Sequence, residues 1–162
     1  MKTFRFYLCA SKYFLDNSTR TKLSEEREFN HIASVLLSWI ALETYINTLF
    51  ESLKEGTRIK EHIKAFLKEK EMKVDDDGRF KEITIRPSTT KKIIFIINYF
   101  SKKDVKKFKQ KKIWKDITSL EDLRDKIVHY KEANNITISY KKSAECRRLV
   151  LDFIDYLRKI LK

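Results

Sequence analysis

Only three residues in this chain of 162 break a backbone by their own chemistry: Gly56, Gly78 and Pro87. A sandwich or barrel needs a tight turn about every ten residues and uses glycine and proline to make it, so this scarcity points to long helices. Hydrophobic residues make up 42% of the chain and aromatics 12%, more apolar surface than a disordered polyelectrolyte carries. With no low-complexity tract, residues 1–162 are expected to fold as a single domain around one core. The expected class is all-α.

Ser24, Glu25 and Glu26 put a capping hydroxyl and two acids at a helix start, and Gly56 closes that segment. Between them Phe29, Ile32, Leu36, Trp39, Ile40, Ile46, Phe50 and Leu53 recur at helical spacing and define one broad apolar face. A second helix is expected over about 58–70, with Ile59, Ile63, Phe66 and Leu67 on one side. Asp75-Asp76-Asp77-Gly78 marks a turn. Ile83-Thr84-Ile85 and Ile136-Thr137-Ile138 alternate as short strands do, and are expected to pair in a small β patch. Ser88, after Pro87, can cap a segment reaching Phe100. Its β-branched Ile93, Ile94, Ile96 and Ile97 suit a strand or a helix, and its place between helices favours helix. Ser101 with Asp104 has the form of a capping box for a short helix to about Lys112, and Thr118 with Glu121 that of another over about 119–133. The latter carries Leu120, Leu123, Ile127 and Tyr130 on its buried stripe. A last helix, about 142–161, packs through Cys146, Val150, Phe153, Leu157 and Ile160.

Lys and Arg number 36 against 23 acids, a net charge of +13. Such a surplus attracts polyanions through phosphate contacts and counterion release, and RNA or DNA is the natural partner. The same Lys-rich, Ile-rich composition also arises from genome base bias, with the lysines only a solvated surface. Charge alone leaves both readings open. The most basic stretch holds Lys102, Lys103, Lys106, Lys107, Lys109, Lys111 and Lys112; it suits an RNA backbone, with Phe108 and Trp114 expected to face the core rather than stack a base.

Cys9 and Cys146 lie far apart with no paired spacing, so no disulfide framework or thiolate metal site is expected, and a reducing cytoplasm fits. Residues 1–17 are basic and partly apolar, but Lys12 interrupts them and no small-residue cleavage pattern follows, so a signal peptide is not expected. The apolar run 93–97, extended by Tyr99 and Phe100, falls short of the roughly 20 residues of a membrane helix. His31 and His62 have no helix-spaced His or Cys partner and are assigned no role.

Chemistry concentrates in Leu123-Arg124-Asp125-Lys126-Ile127-Val128-His129-Tyr130. If this stretch is helical throughout, Arg124 and His129 lie about 140° apart, flanking Val128, and can address one cleft edge. A His can move the 2′-hydroxyl proton of RNA near neutral pH, while a permanently charged Arg stabilises the anionic phosphorane, with no metal or other cofactor required. Asp125, one turn before His129, is placed to orient the imidazole. Spacing alone is weak evidence: three His and ten Arg give about 0.2 chance matches. Context comes from the first long helix, where Glu43 falls within the apolar face between Leu36 and Trp39 by angle, and Asn47 follows one turn later. A carboxylate there is costly without a partner, and a second helix offering Arg124 and His129 supplies a shared polar cluster.

Leu123-Arg124-Asp125, three residues, then His129 resembles the R-x-x-x-x-H motif of the HEPN superfamily of helical ribonucleases, in which the first x is commonly polar. Ser38-Trp39-Ile40-Ala41-Leu42-Glu43-Thr44-Tyr45-Ile46-Asn47 is similar to the helix that packs against the motif helix in many members. The resemblance covers about 24–56 and 119–161. It implies an up-and-down helical bundle and a homodimer that brings two Arg/His pairs to one cleft for metal-independent cleavage of RNA. It makes Arg124 and His129 the catalytic pair, with Glu43, Asn47, Asp125 and Tyr130 in support and Lys126 beside the basic stretch on RNA. It further implies antiphage defence or toxin activity and a neutralising or regulatory protein partner. Lys131 stands where toxins paired with a nucleotidyltransferase carry Tyr, which sets this chain apart from that subfamily. The competing expectation is a non-catalytic basic helical module that binds RNA or a protein, with His129 buried or held by Asp125.

Overall fold

The longest helix, α2 (Ser24–Lys54), is the axis on which α1 (Thr3–Ser18), α7 (Tyr140–Ile160), α6 (Lys112–Val128), α3 (Glu61–Leu67) and α4 (Thr89–Tyr99) pack. The computed structural model describes residues 3–54, 61–101, 103–129 and 137–161. Seven helices and one two-stranded antiparallel sheet account for it; the remaining elements are β1 (Lys70–Val74), β2 (Phe80–Thr84) and α5 (Val105–Lys109).

α1 runs antiparallel to α2, because Phe4 meets Tyr45 edge-on while Phe14 meets Phe29. The two helices come close where three hydroxyls are buried together: Ser11 Oγ lies 3.1 Å from Ser34 Oγ and 2.8 Å from Ser38 Oγ, and donates to the Ser34 carbonyl. Short side chains permit that approach, and mutual hydrogen bonding removes the cost of burying them. α7 lies parallel to α2, with Ser143 Oγ donating to the His31 carbonyl at one end and Arg158 over Tyr45 at the other. The core gathers Trp39, Leu42, Ile46 and Phe50 from α2, Ile93, Ile96 and Ile97 from α4, and Val150, Phe153 and Leu157 from α7.

Several sequence expectations change. The single broad face assigned to α2 splits: Trp39, Ile46 and Phe50 are buried, whereas Phe29 and Ile40 are exposed. The buried side instead includes Val35, Ala41, Leu42 and Tyr45, since α2 is covered from several directions. By length and hydropathy 24–53, not 93–100, is the stretch apolar enough to cross a membrane, and 44% of its most apolar window is buried inside this fold. The β patch exists, but its partner differs. β2 pairs with β1, Lys70 opposite Thr84 and Val74 opposite Phe80. The Asp75–Gly78 turn joins neighbouring strands, and a short loop costs less entropy to close than one of fifty residues. Asp75 Oδ1 accepts from the Asp77 and Arg79 amides, and Gly78 takes φ +75°. Ile138 is buried in the main core, and Ile136 lies outside the described residues, as does Gly56.

Helix starts also move. Asp104, not Ser101, caps α5, accepting from the Lys106 and Lys107 amides, while Ser101 Oγ donates back to the Ile97 carbonyl at the end of α4. α6 begins seven residues before Ser119, at Lys112, and Thr118 Oγ1 donates to the Lys115 carbonyl instead of capping. Ser88 does cap α4, as expected, and Ser139 caps α7.

Candidate functional site

Glu43, halfway along α2, is only partly buried, and its Oε1 accepts two hydrogen bonds from other helices. Thr89 Oγ1, at the first residue of α4, donates at 3.1 Å, and Arg124 Nη2, near the end of α6, donates at 3.1 Å. The second guanidinium nitrogen, Nη1, pairs with Asp125 Oδ1 at 2.6 Å. The Arg124 Cζ stands 5.3 Å over the Trp39 ring, so the cation is held between two carboxylates and an aromatic face. Beneath this arrangement Arg124 Nε and Trp39 Nε1 are buried donors with no acceptor among the described residues.

An open pocket of about 410 Å³ lies over the pair, lined by Leu36, Trp39, Ile40, Glu43, Arg124 and Val128. Its rim is apolar and exposed, Ile40 at 37% and Val128 at 53%. One turn away on α6, Glu121 Oε1 accepts from Thr90 Oγ1 at 3.3 Å. Burial raises the Glu121 carboxyl above its ordinary value, offset in part by that hydroxyl and by Arg124.

His129 is exposed and follows the end of α6, with φ −96° and ψ 61°, its amide donating to the Asp125 carbonyl at 2.8 Å. The bond to the Asp125 carbonyl keeps the His129 Cα on the helical spiral, and the helix ends with it. Asp125 does not orient the imidazole as expected, because its carboxylate is taken by Arg124, and among the described residues the His129 ring has no hydrogen bond or ion pair. Thus Glu43 and Asp125 both contact Arg124, and His129 follows at the end of the same helix, its ring making no hydrogen bond or ion pair with them.

Asn47 belongs to a different cluster. Its Oδ1 accepts from Lys92 Nζ at 2.9 Å, and the same ammonium pairs with Glu69 at 2.6 Å and sits 5.2 Å from the Phe50 ring centre. Tyr130 and Lys102 lie outside the described residues. Lys103, Lys106, Lys107, Lys109, Lys111, Lys112 and Lys126 are all exposed. The α5 lysines sit at the far end of α6 from Arg124, about 18 Å along the axis from Lys112 to Arg124 at 1.5 Å per residue. Phe108 is buried against Trp114 and Tyr156, so it packs the core as expected.

Sequence reasoning missed Thr89 and Thr90, whose hydroxyls join the site from α4. Only their place just after the Ser88 cap signalled that they begin a helix, and nothing local shows which neighbour they meet. Among the described residues no group of three His, Cys, Asp or Glu side chains is placed to hold a metal ion. Comparison with known protein families, curated proteins and solved structures finds no match for this chain.

Proposed function

We propose that this chain is a metal-independent endoribonuclease of the HEPN type, with Arg124 and His129 as its catalytic residues. The observation that carries the reading is a guanidinium fixed by Glu43 at an open pocket, with an exposed His129 at the end of the same helix whose ring has no partner among the described residues. In the reaction the 2′-oxygen of RNA bonds to phosphorus while the bond from phosphorus to the 5′-oxygen breaks. His129 takes the 2′-hydroxyl proton or gives one to the leaving oxygen, and Arg124 stabilises the charge on the phosphorane. Glu43 and Asp125 position the guanidinium. The apolar rim, exposed at Ile40 and Val128 and half-buried at Leu36, fits a second copy of the chain, so that two sites share one cleft. The exposed lysines of α5 and α6 carry the RNA backbone. The setting is the cytoplasm, in antiphage defence or as a toxin, with a neutralising protein partner.

A second reading has its own support: Arg124 is already engaged by two carboxylates, as a structural strut in a non-catalytic binding module would be. The two separate in one assay, cleavage of mixed single-stranded RNA in EDTA by wild type, Arg124→Ala and His129→Ala. The ribonuclease reading expects wild type to cut and each variant to lose about 10²-fold or more. RNA bound but uncut by all three supports the binding module, and equal cutting by all three overturns the assignment of residues.

A further inference from the structure

A second basic pocket, of about 510 Å³, lies between the α1–α2 turn and the start of α7, and it uses residues outside the site described above. Arg20 and Lys22 come from the turn, Arg27 and His31 from the first turns of α2, and Tyr140 opens α7. Among the described residues no Asp or Glu lines it. Among the described residues Arg20, Lys22 and Arg27 have no ion-pair partner, unlike Arg124 or Lys92.

The walls are tied together. Arg27 Nη2 donates to the Lys22 carbonyl at 2.8 Å, and Ser143 Oγ of α7 donates to the His31 carbonyl. His31 Nδ1 is 2.7 Å from the Ile138 carbonyl oxygen. A carbonyl only accepts, so Nδ1 carries the proton and Nε2 is the ring nitrogen left for a ligand. The ring meets Tyr140 edge-on at 6.3 Å, and Tyr140 is 46% exposed. Three cations with no acidic partner among the described residues, an oriented imidazole and an exposed aromatic ring in one pocket match a phosphate that carries an aromatic base.

We propose that this pocket binds a nucleoside phosphate, with Arg20, Lys22 and Arg27 on the phosphate, His31 as the imidazolium donating to it from Nε2, and Tyr140 stacking on the base. The ligand is either a free nucleotide or one unit of an RNA strand. His31 and Glu43 are twelve residues apart on α2, about 18 Å along its axis, so the pocket is a site separate from Arg124. The inference does not depend on cleavage.

The test is calorimetric titration of the full chain with adenosine monophosphate, inorganic phosphate and a short 2′-O-methyl RNA, which transesterification cannot cut. Arg20→Glu/Lys22→Glu is compared with Lys73→Glu/Lys81→Glu, an exposed pair on the hairpin that changes net charge equally. The pocket variant is expected to weaken binding of the nucleotide or the strand about tenfold or more, and the hairpin variant to weaken it far less. Tyr140→Ala is expected to weaken the base-bearing probes and leave inorganic phosphate unchanged. Comparable affinity for nucleotide and strand assigns a free nucleotide; affinity for the strand alone assigns RNA. No binding by wild type, or equal losses in the two charge-reversed variants, overturns the proposal.

Discussion

Glu43 shows how one residue links the core to the candidate site. Its place within an apolar stretch of α2 requires a partner, because a partly desolvated carboxylate loses hydration that something must replace. That need was legible in the sequence from the helical angle alone. Arg124 meets it, and in doing so is held against Trp39. The end of α6 was not legible: the helix stops at Val128 with His129 as its C-cap, short of the expected end near 133. Asp125, one turn before His129, was expected to orient the imidazole and instead pairs with Arg124. Glu121 yields a pH prediction. Burial raises its folded value above the ordinary 4.5, so its stabilising contribution is fully present below that value and is lost as pH rises through the higher folded one. Glu121→Gln stays neutral throughout. Its stability relative to wild type is expected to grow as pH rises from about 4 to 7, measured by urea melts; a constant difference contradicts the burial argument.

Among the elements, those with a strong apolar period, α2, α4 and α7, were read close to their observed spans, although Leu23 and not Ser24 accepts the first helical bond of α2. α1 was missed although Phe4, Leu8, Ser11, Leu15 and Ser18 recur at helical spacing on its buried side. Two of those five are serines, and a hydroxyl that finds its partner only across a helix interface dilutes the apolar signal. α6 was started late because Thr118 and Glu121 have capping-box spacing, while Ile113, Trp114 and Ile117 already continue the stripe one turn earlier. The hairpin went to the wrong partner because the β1 sequence, Lys-Glu-Met-Lys-Val, is mostly charged and exposed. Its turn rests on backbone conformation: Gly78 has φ +75°, and an added Cβ there meets nothing within 4 Å. Gly78→Ala is therefore expected to cost about 1 kcal/mol from backbone strain alone, seen as faster amide exchange in β1 and β2. Unchanged exchange contradicts the role given to Gly78.

At the scale of the whole molecule, the net charge of +13 is not spread evenly through the functional reading. The α5 lysines, the α1–α2 pocket and Lys126 are separate exposed groups, whereas Arg124 is neutralised by two acids. Long-range attraction of RNA and the proposed chemistry therefore rest on different residues. In the proposed dimer the apolar rim beside Arg124 is the contact between copies. Ile40→Asp is expected to convert that dimer to a monomer in sedimentation while leaving the helical circular dichroism intact, because Ile40 is already exposed in the single chain. A monomeric wild type, or a variant that still dimerises, removes that surface from the account. The central claim is transesterification at Arg124 and His129, and the chemical ends of the RNA fragments report it most directly. In EDTA, wild type is expected to leave 2′,3′-cyclic phosphate and 5′-hydroxyl ends that disappear with His129→Ala and with Arg124→Ala. Ends bearing 3′-hydroxyl and 5′-phosphate, or cyclic ends that persist in both variants, would contradict it.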